Sequence, residues 1–412
     1  MTAWFSAFSA GSGTQLYKLG FDESVTKWTA NPGFGGGLSP IDLSFFNDAV
    51  WFSGNTPANG GQLFKLGADG SVTQWTSIGS ALDPIDMTVF NNALWFLGND
   101  DLYKLGNDGS VTQWTANNLD PTNMTVFNGA LWFVGATPAN GFQLYKLGND
   151  GSVTKWTAIG SNLDPVESTV FNNALWFSGA NAGQEQLYKL GNDGSVTQWT
   201  ANPGTGGGLS PIDLTFFNDA LWFNGTTPAN SGQLYKLGND GSVTQWTSIG
   251  SALDPLNMTV FNNAVWFNGL AGPGQFQLYK LGFDGSVTKW TANPGSGGGL
   301  NPQAMTVFNE ALWFEGSTPS HGQQLFKLGA DGSVTQWTDI GNNLNPVPVS
   351  APVDDADSTP LSVSNNALWF QGNNPMLGNE LYKLGADGSF TLWKDINPGP
   401  NGSFPQDWAL LG

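Results

Sequence analysis

Two tryptophan motifs, each recurring nine times at a spacing of about forty residues, constrain this chain more than any other feature. Val-Thr-(Lys/Gln)-Trp ends at Trp28, Trp75, Trp114, Trp156, Trp199, Trp246, Trp290 and Trp337, and Phe-Thr-Leu-Trp supplies Trp393. Ala-(Leu/Val)-Trp-Phe places Trp51, Trp95, Trp132, Trp176, Trp222, Trp266, Trp313 and Trp369, with Trp4 in Thr-Ala-Trp-Phe as the ninth member. Eighteen of the nineteen tryptophans are thereby periodic, and Trp408 stands apart. Self-similarity at this period is the signature of a repeat architecture.

One unit, residues 211–246, shows what repeats. Ile212 to Phe217 is a short apolar run, Asn218-Asp219 a turn, and Ala220-Leu221-Trp222-Phe223 a second run. After a loop come Gln233 to Leu237, the turn Asn239-Asp240-Gly241, and Val243 to Trp246. Short runs rich in β-branched and aromatic residues, separated by turn residues, predict a four-stranded antiparallel meander. No window shows helical periodicity. Both faces of each strand are apolar, so neighbouring units must cover both. Radial packing of such blades satisfies that demand, and the fold class expected is all-β: a single closed β-propeller of nine blades spanning 1–412. Eight blades with a distorted extra unit is the structural alternative.

The tail, Pro405 to Gly412, joined to Met1-Thr2-Ala3-Trp4-Phe5, aligns without a gap with Pro40 to Phe52. The C-terminal strand is therefore expected to complete the first blade. Two units depart from the pattern: the third has a very short middle connection, Gly98-Asn99-Asp100-Asp101, and the connection 342–365 is enlarged. Strain is expected at those places. Residues 16–98 match 187–269 at a constant offset, which points to recent amplification or deliberate design.

Charge narrows the partners. The net charge is −19, and all thirteen basic residues are lysines. Nucleic-acid binding needs a basic patch and is not expected. There is no cysteine, hence no disulfide, thiolate metal site or cysteine nucleophile. No apolar run approaches the ~20 residues of a membrane helix, so no membrane insertion is expected, and no secretion signal is legible. A monomer is the expected state.

The segment 378–399, reading Gly-Asn-Glu-Leu-Tyr-Lys-Leu-Gly-Ala-Asp-Gly-Ser-Phe-Thr-Leu-Trp-Lys-Asp-Ile-Asn-Pro-Gly, resembles the bacterial ELWxxDGT repeat. Its Leu-(Tyr/Phe)-Lys and Asp-Gly core recurs in nearly every unit, with Tyr or Phe in place of the Trp. The unit is also similar to Kelch repeats, without their paired glycines. The resemblance implies a propeller, often in cell-surface or secreted bacterial proteins, and carries no catalytic residues.

Antiparallel order places the long, variable connections on one face, among them Asn202 to Gly208 and Thr227-Pro228-Ala229-Asn230. Variable loops on a rigid scaffold are where binding concentrates. Two residues after the proline that opens each innermost strand stand Asp42, Asp86, Asn123, Glu167, Asp213, Asn257 and Asp407, with Ala304 interrupting the series. Propeller symmetry would gather them at the channel mouth, where Ca2+ or another cation could be held by hard oxygens. The plainer expectation, which is preferred, is local capping of each residue's own loop. The Asp-Gly turns and the Asp354-Asp355-Ala356-Asp357 cluster are read as hairpin and solvated loop, and His321 as a loop substitution. No cofactor or catalytic set is assigned. The functional expectation is a non-catalytic scaffold or interaction module for an unknown protein or glycan. A multivalent lectin is the alternative, and a hydrolase the distant one.

Overall fold

Turn chemistry sets the strand boundaries. In the sixth blade Asn218 and Asp219 both adopt positive φ, 50° and 56°, in the left-handed region, the geometry that a two-residue hairpin between right-twisted strands requires. The third-to-fourth hairpin is held differently: Asp240 Oδ1 accepts both the backbone N–H of Ser242 (2.9 Å) and its hydroxyl (2.7 Å). The same bond recurs from blade to blade and holds Asp22, Asp69, Asp108 and their equivalents below the usual carboxylate range. The Asp-Gly turns are thus hairpins.

The computed structural model describes residues 2–29, 37–78, 81–116, 118–138, 141–159, 162–181, 183–200, 208–227, 230–249, 252–291, 299–339, 344–348 and 362–411. Among them there is no helix, and the chain forms nine antiparallel blades of a β-propeller. The sixth illustrates the meander: Ile212–Phe217, Ala220–Thr227, Asn230–Gly238 and Val243–Gln245. In the first blade the strand Gln406–Leu411 pairs with Thr2–Ser9, so the C-terminal segment supplies its first strand. The third blade, despite its short connection, is a regular four-stranded sheet, Ile85–Phe90 through Val111–Gln113. The eight-blade alternative does not hold, because every unit forms its own sheet.

Departure from regularity falls on the ninth blade. Its first strand is divided into Val347–Pro348 and Ser362–Ser364, both paired to Ala367–Asn374. Proline fixes a negative φ, so Pro348 cannot adopt the left-handed bulge its counterparts use, and it pairs in plain register with Phe370. The 354–357 cluster and the loop residues 202–207, 228 and 229 lie outside the described residues.

Two compact units are distinguished: Met1–Met87 with Asn293–Gly412, and Thr88–Ala292. Within each, adjacent blades meet through repeated apolar clusters. Phe171, Ala174, Trp176 and Leu187 of the fifth blade pack against Leu221, Phe223, Tyr235 and Leu237 of the sixth. The linker residue Leu209 is buried between them, and its carbonyl accepts the N–H of Thr226 at 2.6 Å. A Cβ on Gly225 would lie 2.7 Å from the Tyr235 ring and 3.0 Å from Leu209, so this close approach needs glycine.

The two tryptophans of each blade meet edge to face, with centroids 5.2 Å apart at 87° for Trp176 and Trp199. A lysine lies over both rings: Lys189 Nζ is 4.8 Å from Trp199 and 5.5 Å from Trp176. Cross-strand register dictates this, since Trp176 faces Lys189 directly. Lys18, Lys65, Lys104, Lys146, Lys236, Lys280, Lys327 and Lys383 do the same in their blades. The second tryptophan then reaches the next blade. Trp114 Nε1 donates to Gly151 O (2.8 Å), Trp156 to Gly194 O (2.7 Å) and Trp199 to Gly241 O (2.8 Å).

Gly151 has a φ of +80°, and a Cβ there would lie 2.8 Å from Trp114 Cζ2. Gly151→Ala is therefore expected to destabilise the fold by about 1–3 kcal/mol through backbone strain and displacement of the indole. Denaturant unfolding checks this; a change within ~0.5 kcal/mol would contradict it.

Candidate functional site

The seven residues singled out from the sequence share an unusual backbone. Asp42, Asp86, Asn123, Glu167, Asp213, Asn257 and Asp407 all have φ between 51° and 57°. Each sits second in its blade's first strand, at a β-bulge: in the second blade Ile41 pairs with Ser53 and the register then shifts before Ser44 pairs with Trp51. Asp and Asn tolerate left-handed φ better than other non-glycine residues, which explains their prevalence here. Ala304, at φ 50°, keeps the bulge without a polar group.

Local capping is the preferred expectation, but Asp42, Asp213 and Asn123 bond across the blade junction instead. Met87 N–H donates to Asp42 Oδ2 (3.2 Å), Met258 N–H to Asp213 Oδ2 (3.1 Å), and Asn123 Nδ2 to Pro165 O (3.5 Å). Each partner belongs to the following blade. The bulge turns the side chain away from its own linker and across the blade junction, which is why local capping fails. Asp407 accepts the hydroxyl of Ser6 at 3.0 Å within its own blade and is also bonded by the backbone N–H of Asp42 in the next.

In the unit that holds them, Asp42 lies within electrostatic reach of both Asp86 and Asp407. Burial, then the charges of Asp86 and Asp407, push the Asp42 carboxyl up to about 6 against the bond from Met87. Burial also pushes Asp407 up to about 6. Asn123, Glu167, Asp213 and Asn257 occupy consecutive blades of the other unit. Among the described residues no three His, Asp or Glu side chains are grouped to hold a metal ion.

His321 is half-buried in the hairpin that follows Ala311–Thr318. Its Nδ1 lies 2.8 Å from Asp339 Oδ1 and 2.9 Å from Ser320 Oγ. A nucleophile–base–acid relay needs the serine and the carboxylate on opposite ring nitrogens. Here both address the same nitrogen, so this trio cannot operate as such a relay.

The structure reveals an acid that the sequence reading passed over. Glu315 is 5% exposed and its Oε1 has no hydrogen-bond partner among the described residues. Burial pushes its carboxyl up to about 8. It stands where the other blades carry Ser6, Ser53, Leu97, Val134, Ser178, Asn224, Asn268 and Gln371. That single charged exception, in the Trp-Phe-x-Gly frame, was the signal available. A surface cleft also opens between the third and fourth blades, lined by Asp100, Asn118, Asp120, Ala136 and Pro138. It lies where the third blade has both a short middle hairpin and a short outgoing linker. Burial, then the charge of Asp100, raises the Asp120 carboxyl.

No family model matches the chain, and no curated protein does. Among solved structures, it is similar to a streptogramin B lyase, with 19% identity over 76% of this chain and 95% of that one, at a TM-score of 0.40. A catalytically inactive virginiamycin B lyase from Staphylococcus aureus with quinupristin is 17% identical over 81% and 91%, at a TM-score of 0.36. TolB from Acinetobacter baumannii is 14% identical over 78% and 80%, at a TM-score of 0.35. Likeness at this level assigns no activity.

A buried carboxyl titrating near 8, against 4.5 when exposed, makes stability fall as pH rises between those values, because the unfolded chain ionises first. The loss is about 1.4 kcal/mol per pH unit across that window. Glu315→Gln is therefore expected to melt higher than the parent at pH 7 and 8 and to match it near pH 4. Parallel melting curves across that range would contradict the assignment.

Proposed function

We propose that this chain is a non-catalytic scaffold that binds a protein or glycan through the variable connections on one face of its blades. One observation carries this reading: the repeat's polar groups bind the blades together, while differences in loop length are confined to the second-to-third hairpins and the linkers. Nine lysines cover tryptophan pairs, the hairpin aspartates hold serines, and Asp42 and Asp213 bond the next blade. Little of the repeated chemistry is left for turnover.

A multivalent lectin is the second reading; the cleft beside Asp100, Asn118 and Asp120 offers one place where carboxylate and amide groups suit sugar hydroxyls. The resemblance to ELWxxDGT repeats supports a cell-surface or secreted setting. The bulge carboxylates Asp407, Asp42 and Asp86 are where Ca2+ or another cation would be sought.

Thermal unfolding titrated with Ca2+ and a panel of sugars tests these readings, because a ligand of the folded state raises the melting temperature. A scaffold whose ligand is a protein predicts no shift with either. A shift of several degrees with one sugar, lost in Asp120→Asn, moves the reading to a lectin. Hydrolase turnover that disappears in His321→Ala would overturn the non-catalytic reading outright.

A further inference from the structure

The first blade is assembled from segments some four hundred residues apart, and its closing strand is docked unlike the others. Eight blades join first and second strands through a two-residue hairpin, and the second-strand tryptophan donates to the carbonyl five residues earlier, as from Trp176 to Phe171 O at 3.0 Å. In the first blade Trp4 Nε1 has no such partner among the described residues, and neither does the buried Trp408 Nε1. Two buried donors left unsatisfied weaken the docked state.

The chain leading to this strand is anchored separately. Ser403 donates its N–H to Asn379 O (2.7 Å) and its hydroxyl to Glu380 Oε2 (2.6 Å), while its carbonyl accepts Phe8 N–H (2.6 Å). Beyond that anchor, Gln406–Leu411 pairs through its backbone (Thr2 with Leu411, Ala3 with Leu410, Trp4 with Ala409), and Ala409 is buried in an apolar cluster with Trp4, Val50 and Phe52. Asp407 accepts Ser6, and the Trp408 indole stacks on Phe5 at 5.4 Å and on Trp369 at 6.1 Å.

We propose that this slot is an exchange site: it accepts in trans the 406–411 strand of a second copy of this chain, giving a reciprocally strand-swapped dimer. The indole selects the occupant. The residue that follows the bulge position in the other blades is Leu43, Met87, Met124, Ser168, Leu214, Met258, Met305 or Val349, so no other first strand offers a tryptophan to Phe5 and Trp369. Identical interfaces on two copies close as a twofold pair, the low-cost route of domain swapping. The monomer expected from the sequence is the state from which exchange begins.

The absence of cysteine makes the test direct. A fluorescent peptide of residues 403–412 is incubated with the full chain just below its melting temperature, and binding is followed by anisotropy and by size-exclusion chromatography with light scattering. Saturable binding is expected, weakened about tenfold or more by Trp408→Ala in the peptide. Concentrated protein incubated alone should yield a dimer. Full-length Ala3→Cys/Leu410→Cys, a register pair, should lose both peptide binding and dimer formation when oxidised and regain them when reduced. Equal binding of the two peptides to the unmodified chain would overturn the proposal, and so would undiminished binding to the oxidised variant, or neither binding nor dimer at any concentration. The two peptides need no variant protein, so a misfolded cysteine variant does not shield the idea.

Discussion

The structure depends on a tryptophan wedged between adjacent blades. The indole that ends a unit meets its partner tryptophan edge to face inside one blade, and those of Trp28, Trp114, Trp156, Trp199, Trp246 and Trp393 donate their N–H to a turn of the next. Much of the recurrent sequence follows from that placement. The lysine on the third strand lies opposite one ring and above the other, so the ammonium caps the pair while its stem covers apolar surface. The accepting turn must approach the indole closely, hence glycine; the aspartate before it and the serine after it hold the turn in shape. Where the first blade has Glu23 in place of that glycine, at φ 61°, its carbonyl still accepts Trp393 Nε1 at 2.8 Å and its carboxylate pairs with Lys383.

This economy bears on function. An architecture that commits its lysines, turn aspartates and bulge carboxylates to internal bonds can vary freely only where the bonds are backbone ones. The linkers meet that condition: one leucine carbonyl bonds the next blade, and a neighbouring N–H bonds the preceding one, as with Leu163 between Phe142 and Ala180. Length can then change on either side of the leucine without disturbing the junction. The third blade shows the consequence, because its short connections expose a cleft while its sheet stays regular.

The blade count, the meander and the completion of the first blade by the tail were legible in the sequence because each rests on periodic side chains or on turn residues with a steric reason to be there. Partner choice was not. Asp42 and Asn123 looked like local caps because cap-forming residues are also the residues that tolerate left-handed φ, and only coordinates separate the two causes. The lysines read as a charge statistic, although Leu-Tyr-Lys alternation already put each of them on the tryptophan's side of the sheet. Glu315 was missed for a different reason: the eye follows what repeats, and a single acid in a neutral column disappears against it. Pro348 likewise marked the one first strand that could not form the bulge.

Native-state hydrogen exchange on Trp199→Phe tests the wedge most directly, because phenylalanine keeps an aromatic ring but removes the N–H that Gly241 accepts. The account predicts lower protection in the 239–242 turn and in the facing strands of the fifth and sixth blades, with a lower melting temperature. Unchanged protection there, at an unchanged melting temperature, would show that the blades are held by something other than the tryptophan.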